Sequence, residues 1–148
     1  REGPWGKRLQ AQMRALASAV EARLREVEPA VAAALPLQPS RSKAMRGLPR
    51  LTDPPDPRAV TKAHALLGFL YESRHSASYG GFGVVRSRVV EALDPRLDQY
   101  AEDLLEQLHA GDGLEERVRE HLEIAAEFLG LVRDPRAAEV VRRRAAVA

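Results

Sequence analysis

The chain has 148 residues, no cysteine and a formal net charge of +2. The lack of cysteine excludes thiol catalysis, disulfide frameworks and cysteine-based zinc sites, while the length suits one domain with its own hydrophobic core. No apolar run approaches the ~20 residues that a membrane span needs, and the first thirty residues hold no hydrophobic stretch of the signal-peptide kind. We therefore expect a cytoplasmic or nuclear protein.

The first segment, residues 1–35, carries large apolar residues at steps of three and four. This spacing predicts an amphipathic helix from about Trp5 to Leu35, which kinks or ends near Glu28 because Pro29 cannot donate a backbone hydrogen bond. The apolar stripe is narrow and close to a coiled-coil seam. It is our candidate contact set for another helix, either of a partner or of the same fold, and comprises Leu9, Met13, Leu16, Val20, Leu24 and Val27.

The next segment, residues 36–56, is rich in proline and arginine and predicts an extended connection. The sequence leaves two roles open for this connection: it lies over the domain as a binding segment, or it links the first helix to a separate helical unit. We expect one domain overall. Residues 1–50 hold ten basic and four acidic side chains, a net +6, so this end of the chain is a candidate for an acidic partner. The segment's cations are Arg41, Lys43, Arg46 and Arg50.

The remaining residues, 57–148, together with Asp56 just before them, contain one tripeptide three times, at Asp56–Arg58, Asp94–Arg96 and Asp134–Arg136. Each copy has the composition of a helix start, because aspartate caps free N–H groups and proline fits the first helical position. The copies lie 38 and 40 residues apart, which predicts helical hairpins of about forty residues. The sequence therefore predicts an all-α fold of about six helices, arranged as a closed bundle or as a short solenoid of hairpins.

Two further helices follow from the apolar pattern of this part. Gly111 is the predicted end of the helix that begins at Asp94, and Asp112 with Glu115 forms a predicted capping box for the next. That next helix carries apolar residues on two sides, which is typical of a central helix. Its histidine, His121, lies on the apolar face, and we expect a buried side chain with one ring nitrogen hydrogen-bonded.

No pattern in the chain predicts catalysis, a cofactor or a metal. Two Glu-x-x-His pairs, Glu72–His75 and Glu106–His109, place their glutamates away from the apolar faces, unlike the inward-facing pairs of di-iron bundles. The glycine-rich run Tyr79–Gly83 lacks the Lys-Ser/Thr of a phosphate-binding loop. We interpret it as a hairpin connection whose Tyr79 and Phe82 are candidate exposed anchors for a partner.

The function that these observations favour is non-enzymatic protein–protein interaction, as an adaptor, scaffold or regulatory domain. Self-association into a homo-oligomer is one form that this interaction could take. A second hypothesis is binding to nucleic acid or another anionic surface, through the basic connection together with Arg142, Arg143 and Arg144. A third is small-molecule sensing in a pocket near His121.

Overall fold

The computed structural model of the chain describes residues 3–39 and 47–148. These residues are all-α, as predicted, and form a bundle, which is one of the two predicted arrangements. Short turns link most of the helices, among them a 3-10 turn at Ser73–His75. A long connection joins the second helix to the third, and it contains one isolated antiparallel bridge between Leu37 and Pro49. In chain order the described helices are α1 (Pro4–Leu24), α2 (Val27–Ala34), α3 (Pro57–Glu72), α4 (Ala77–Gly80), α5 (Gly83–Ala110), α6 (Glu115–Val132) and α7 (Pro135–Ala146).

Helix α6 occupies the middle of the bundle, which confirms the prediction from its two apolar sides. It packs against α3, α5 and α7. Leu122, Phe128 and Leu129 are among the most deeply buried side chains of the protein. Because one helix contacts three others, the described helices close around a single core instead of stacking as successive hairpins.

The first and third Asp-Pro-Arg tripeptides begin helices, as predicted. The Asp56 carboxylate accepts a hydrogen bond from the Arg58 N–H at 3.0 Å, and α3 begins at Pro57. The Asp134 carboxylate accepts one from the Ala137 N–H at 2.9 Å, and α7 begins at Pro135. Each aspartate thus satisfies a backbone donor that has no partner inside the helix.

The prediction of a helix start at Asp94 is wrong, because Pro95 lies inside the 28-residue helix α5. The buried residues Val89, Leu93 and Leu97 continue one apolar face through the proline, so packing holds both sides of it in one helix. The Asp94 carboxylate is not free to cap, since the Arg133 Nε donates to it at 3.0 Å. The hairpin repeat therefore does not extend to the second tripeptide.

The predicted capping box at Asp112 and Glu115 is also wrong. Helix α6 begins at Glu115 itself, after an N-cap residue, Leu114, that makes no side-chain cap hydrogen bond. Gly111 does end α5, as predicted, with a φ of 62°. Gly113 follows with a φ of 91°, and this second left-handed residue delays the helix start beyond Asp112.

The first predicted helix is divided in two, earlier than expected. Helix α1 ends at Leu24, and α2 begins at Val27 after a turn of two residues. Pro29 falls in the first turn of α2. The N–H groups of a first turn have no acceptor inside the helix, so a proline is tolerated there. The break thus lies one turn before the proline.

The chain on either side of the undescribed residues crosses the bundle. The Tyr100 hydroxyl of α5 donates to the Pro36 carbonyl at 3.1 Å, and the Arg117 Nη1 of α6 donates to the Leu51 carbonyl at 3.1 Å. Leu51 is buried in the common core. The division of the chain at residues 35 and 56 stays a prediction. Within the described ranges, no helix combines the length and apolarity of a membrane span.

Candidate functional site

The outer turns of α1 expose a row of large apolar side chains. Trp5 is 75% exposed, Leu9 44%, Met13 55% and Leu16 67%, whereas Val20 is half-buried. The steps of three and four residues place these side chains on one face of the helix. We call this row, Trp5, Leu9, Met13, Leu16 and Val20, the α1 seam.

The predicted contact set is therefore only partly exposed. Leu24 and Val27 lie fully inside the core, so these two residues contact other parts of the same fold and are not open to a partner. Trp5 was missing from the predicted set, although it precedes Leu9 by four residues and continues the same row. The periodicity identified the correct face but not the point at which the bundle begins to cover it.

The last turn of α1 attaches the helix to the bundle. Leu24 is its one buried residue, and the Arg23 guanidinium lies over the Phe69 ring of α3, 5.8 Å from the ring centroid. Every residue from Lys7 to Leu16 is exposed, on all sides of the helix. Helix α1 therefore projects from an anchored end, and its outer turns contribute little apolar burial to the fold.

A groove of about 540 Å³ runs along the inner part of the seam. One wall is α1, through Met13, Leu16 and Val20, and the other is formed by Phe69 of α3 and Phe82 before α5. The groove is thus mostly apolar and concave, which is the shape of a helix-binding site.

The second wall of the groove is fixed by close packing around Phe82. This ring is buried against Gly80, where a Cβ atom would lie 2.7 Å from the ring Cδ1. The suggestion that Phe82 is an exposed anchor is therefore wrong, and the side chain of Tyr79 lies outside the described part of the structure. Gly81 adopts a φ of 78°, which glycine reaches without strain.

Arg86 of α5 holds the end of α3 in place behind this wall. Its guanidinium donates to the Leu70 carbonyl from Nε at 3.0 Å and from Nη2 at 2.8 Å. Burial, and then the charge of nearby Arg74, lower the pKa of the Arg86 guanidinium. The paired bonds satisfy a helix-end carbonyl that has no partner inside α3.

Two of the three C-terminal arginines bind carboxylates across the bundle. The Arg142 Nε donates to Glu123 Oε1 at 3.0 Å and its Nη2 to the same atom at 2.7 Å. Arg144 binds the Glu102 carboxylate with both terminal nitrogens. The hydrogen bond from Arg144 lowers the pKa of the Glu102 carboxyl, and the bond to Glu123 raises the pKa of Arg142.

The two other cations of the predicted anionic-surface site that the structure describes, Arg50 and Arg143, each lie beside a carboxylate. Arg143 lies 3.7 Å from Glu139, one turn earlier on α7. Arg50 donates to Thr52 and Asp53 within its own turn, at 3.2 and 3.4 Å. The other three predicted cations lie outside the described residues: Arg41, Lys43 and Arg46.

His121 is buried in the core, and its Nδ1 lies 2.9 Å from the Arg117 carbonyl, as expected for a structural histidine. A cavity of about 580 Å³ opens beside it, lined by its neighbours Arg117 and Glu120. The ring itself is sealed from solvent. The glutamates and histidines of both Glu-x-x-His pairs are exposed, and the described residues hold no group of three or more metal-ligating side chains.

Comparison with known protein families, curated proteins and solved structures found no match to this chain. The class that the fold defines is an all-α bundle with a projecting first helix. The α1 seam and its groove are the features of this bundle that offer a surface for binding.

Proposed function

We propose that this protein is a protein–protein interaction domain that binds its partner through the α1 seam. The observation that carries the proposal is the exposure of four large apolar side chains, Trp5, Leu9, Met13 and Leu16, on one face of a projecting helix. Tryptophan and methionine are enriched at protein interfaces, and contiguous apolar surface on a folded protein commonly marks a binding site.

The apolar side chains of the α1 seam can contribute substantially to the free energy of binding a partner. Full burial of one large apolar side chain contributes roughly 1.5–3 kcal/mol before the costs of association. Four such side chains, three or four residues apart, form the anchor pattern of a helix bound in an apolar groove. The role would be that of an adaptor, a scaffold or a regulatory subunit.

The anionic-surface alternative has weaker support. Its C-terminal arginines already bind Glu123, Glu139 and Glu102. An incoming phosphate would have to displace these carboxylates, which reduces the gain from each contact. The small-molecule alternative has little accessible surface at His121, since the ring is buried and its Nδ1 lies 2.9 Å from the Arg117 carbonyl.

The test is differential capture from a native extract, with and without nuclease treatment. Wild-type protein is compared with Leu16→Asp, which places a charge in the seam, and with Val140→Asp, which makes the same kind of change at an exposed apolar residue of α7. We expect a defined partner to be recovered with the wild type and Val140→Asp and lost with Leu16→Asp. Recovery of the same proteins by all three variants would reject the seam as the binding surface, and recovery that nuclease abolishes would favour the anionic alternative.

A further inference from the structure

The residues of the α1 seam are spaced symmetrically about the middle of the row, which lies just before Met13. Leu9 and Leu16 are equally far from this centre, and so are the two ends of the row, Trp5 and Val20. When two such helices run in opposite directions about a two-fold axis through the centre, Leu9 of each helix faces Leu16 of the other. The seam is therefore complementary to a second copy of itself.

The charged residues of the outer turns lie away from the centre of this face. Successive helical residues are rotated by about 100°, which places Lys7 and Arg14 on the far side of α1, roughly 140–160° from the seam centre. Arg8 lies at the edge of the face, roughly 100° from its centre. In an antiparallel pair the two copies of Arg8 are about 13 Å apart along the helix axis. Two copies can thus pack seam against seam without bringing like charges into contact.

The antiparallel arrangement also places Trp5 of each copy at the groove of the other, because Trp5 lies opposite Val20, one of the residues that line the groove. The groove volume of about 540 Å³ is large enough for an indole side chain, and Phe69 and Phe82 give it an apolar wall. Glu72 also lines the groove and offers the acceptor that a buried indole N–H needs. The groove thus has the shape and the chemistry to bind the tryptophan of a second copy.

The exposed area of the seam suits a weak dimer. Its four most exposed side chains have exposed fractions of 44–75%. With roughly 150–250 Å² for each large side chain, they offer roughly 400–600 Å² per copy. A pair of copies then buries roughly 800–1,200 Å², which is the range of weak but specific protein interfaces.

From these observations we infer that the occupant of the α1 seam and groove is a second copy of this chain, bound antiparallel with Trp5 of each copy in the groove of the other. This inference rests on the proposed function and identifies its partner. Every residue from Lys7 to Leu16 is exposed, so the bundle of one copy leaves open the turns against which the other copy packs. The two bundles then lie at opposite ends of the helix pair.

The first experiment follows the mass and the tryptophan fluorescence of the full chain as its concentration rises. Trp5 is the only tryptophan of the sequence and reports on the interface directly. Between about 5 and 500 µM, we expect the average mass in sedimentation equilibrium to rise toward that of two chains, with a shift of the Trp5 emission to shorter wavelength. Leu16→Asp should weaken the dimer at least about ten-fold, and Val140→Asp should leave it unchanged.

The second experiment tests the orientation of the two helices by disulfide formation. Because the chain has no cysteine, each single variant carries one thiol. Met13→Cys lies beside the two-fold axis and should form a disulfide-linked dimer. Leu9→Cys, another position of the seam, should not, because the two copies of residue 9 are more than about 10 Å apart and a disulfide needs Cα atoms within about 7 Å. A parallel pair would link both variants equally.

The outcomes separate the inference from the proposed function. If the chain stays monomeric to about 500 µM while a different protein is captured in a Leu16-dependent way, the second copy is wrong as the occupant and the seam stands. A dimer that Leu16→Asp does not weaken forms through another surface and overturns the inference. Equal linking of Met13→Cys and Leu9→Cys overturns the antiparallel arrangement, and Leu16-dependent binding of a monomeric chain to phosphatidylserine vesicles would identify a membrane as the occupant instead.

Discussion

Two glycines of the groove region differ in what surrounds them, and substitution to alanine should move stability in opposite directions. At Gly80 a new Cβ meets the buried Phe82 ring, so Gly80→Ala must displace the ring and should cost about 1–3 kcal/mol. At Gly68, inside α3, a new Cβ meets nothing within 4 Å. Gly68→Ala should therefore stabilise the protein by roughly 0.5–1 kcal/mol through helix propensity alone.

Urea unfolding of both variants beside the wild type checks this pair, with Gly68→Ala as the matched control. Stabilisation by Gly80→Ala would show that the Phe82 ring does not rest on Gly80. Phe82 would then pack differently in the second wall of the groove.

For single residues, the sequence predicted which face of a helix a side chain occupies, but not which other residues pack against it. It placed His121 on the buried side of α6 and Glu106 on the exposed side of α5, because both follow from angular position alone. It could not separate Leu16 from Leu24, which share one stripe, since periodicity gives the direction of a side chain and not what covers it.

The element with the most unexpected course is α5, which continues through Pro95. A proline inside a helix removes one backbone hydrogen bond and crowds the preceding turn, at a cost of roughly 3 kcal/mol, partly offset in the unfolded state. Pro95→Ala should restore that bond and stabilise the protein by about 1–2 kcal/mol. Pro135→Ala, at the first position of α7, is the control and should bring no such gain.

Thermal and urea unfolding of the two proline variants measure the difference. No gain from Pro95→Ala, or an equal gain from both substitutions, would contradict a continuous α5. A helix that ended at Asp94 and restarted at Pro95 would behave in that way.

At the element scale, the same tripeptide had two outcomes. Asp56 and Asp134 each cap the helix that follows by accepting a hydrogen bond from a backbone N–H. Asp94 binds Arg133 of the neighbouring helix instead. Local chemistry predicts a cap wherever aspartate precedes proline, but only tertiary packing decides whether the carboxylate is free and whether the helix continues.

At the scale of the whole molecule, the all-α class followed from composition and pattern. The tertiary contacts did not follow from them. These contacts are the packing of α2 against α3, the hydrogen bond of Tyr100 to Pro36 and that of Arg117 to Leu51. These contacts join residues that are 64 and 66 positions apart, and no local pattern encodes them. For the same reason, the sequence could not show that the outer turns of α1, from Lys7 to Leu16, would stay exposed.

The central claim is that the outer turns of α1 hold apolar residues that the fold itself does not use. The most direct test is equilibrium urea unfolding of the double variant Met13→Asp, Leu16→Asp beside Leu24→Asp, which carries the same change at a fully buried position of the same helix. The double variant should unfold within about 1 kcal/mol of the wild type, a loss that the low helix propensity of aspartate accounts for, whereas Leu24→Asp should lose more than about 4 kcal/mol. A comparable loss in the double variant would show that the seam is part of the core and would remove the basis for a partner at this surface.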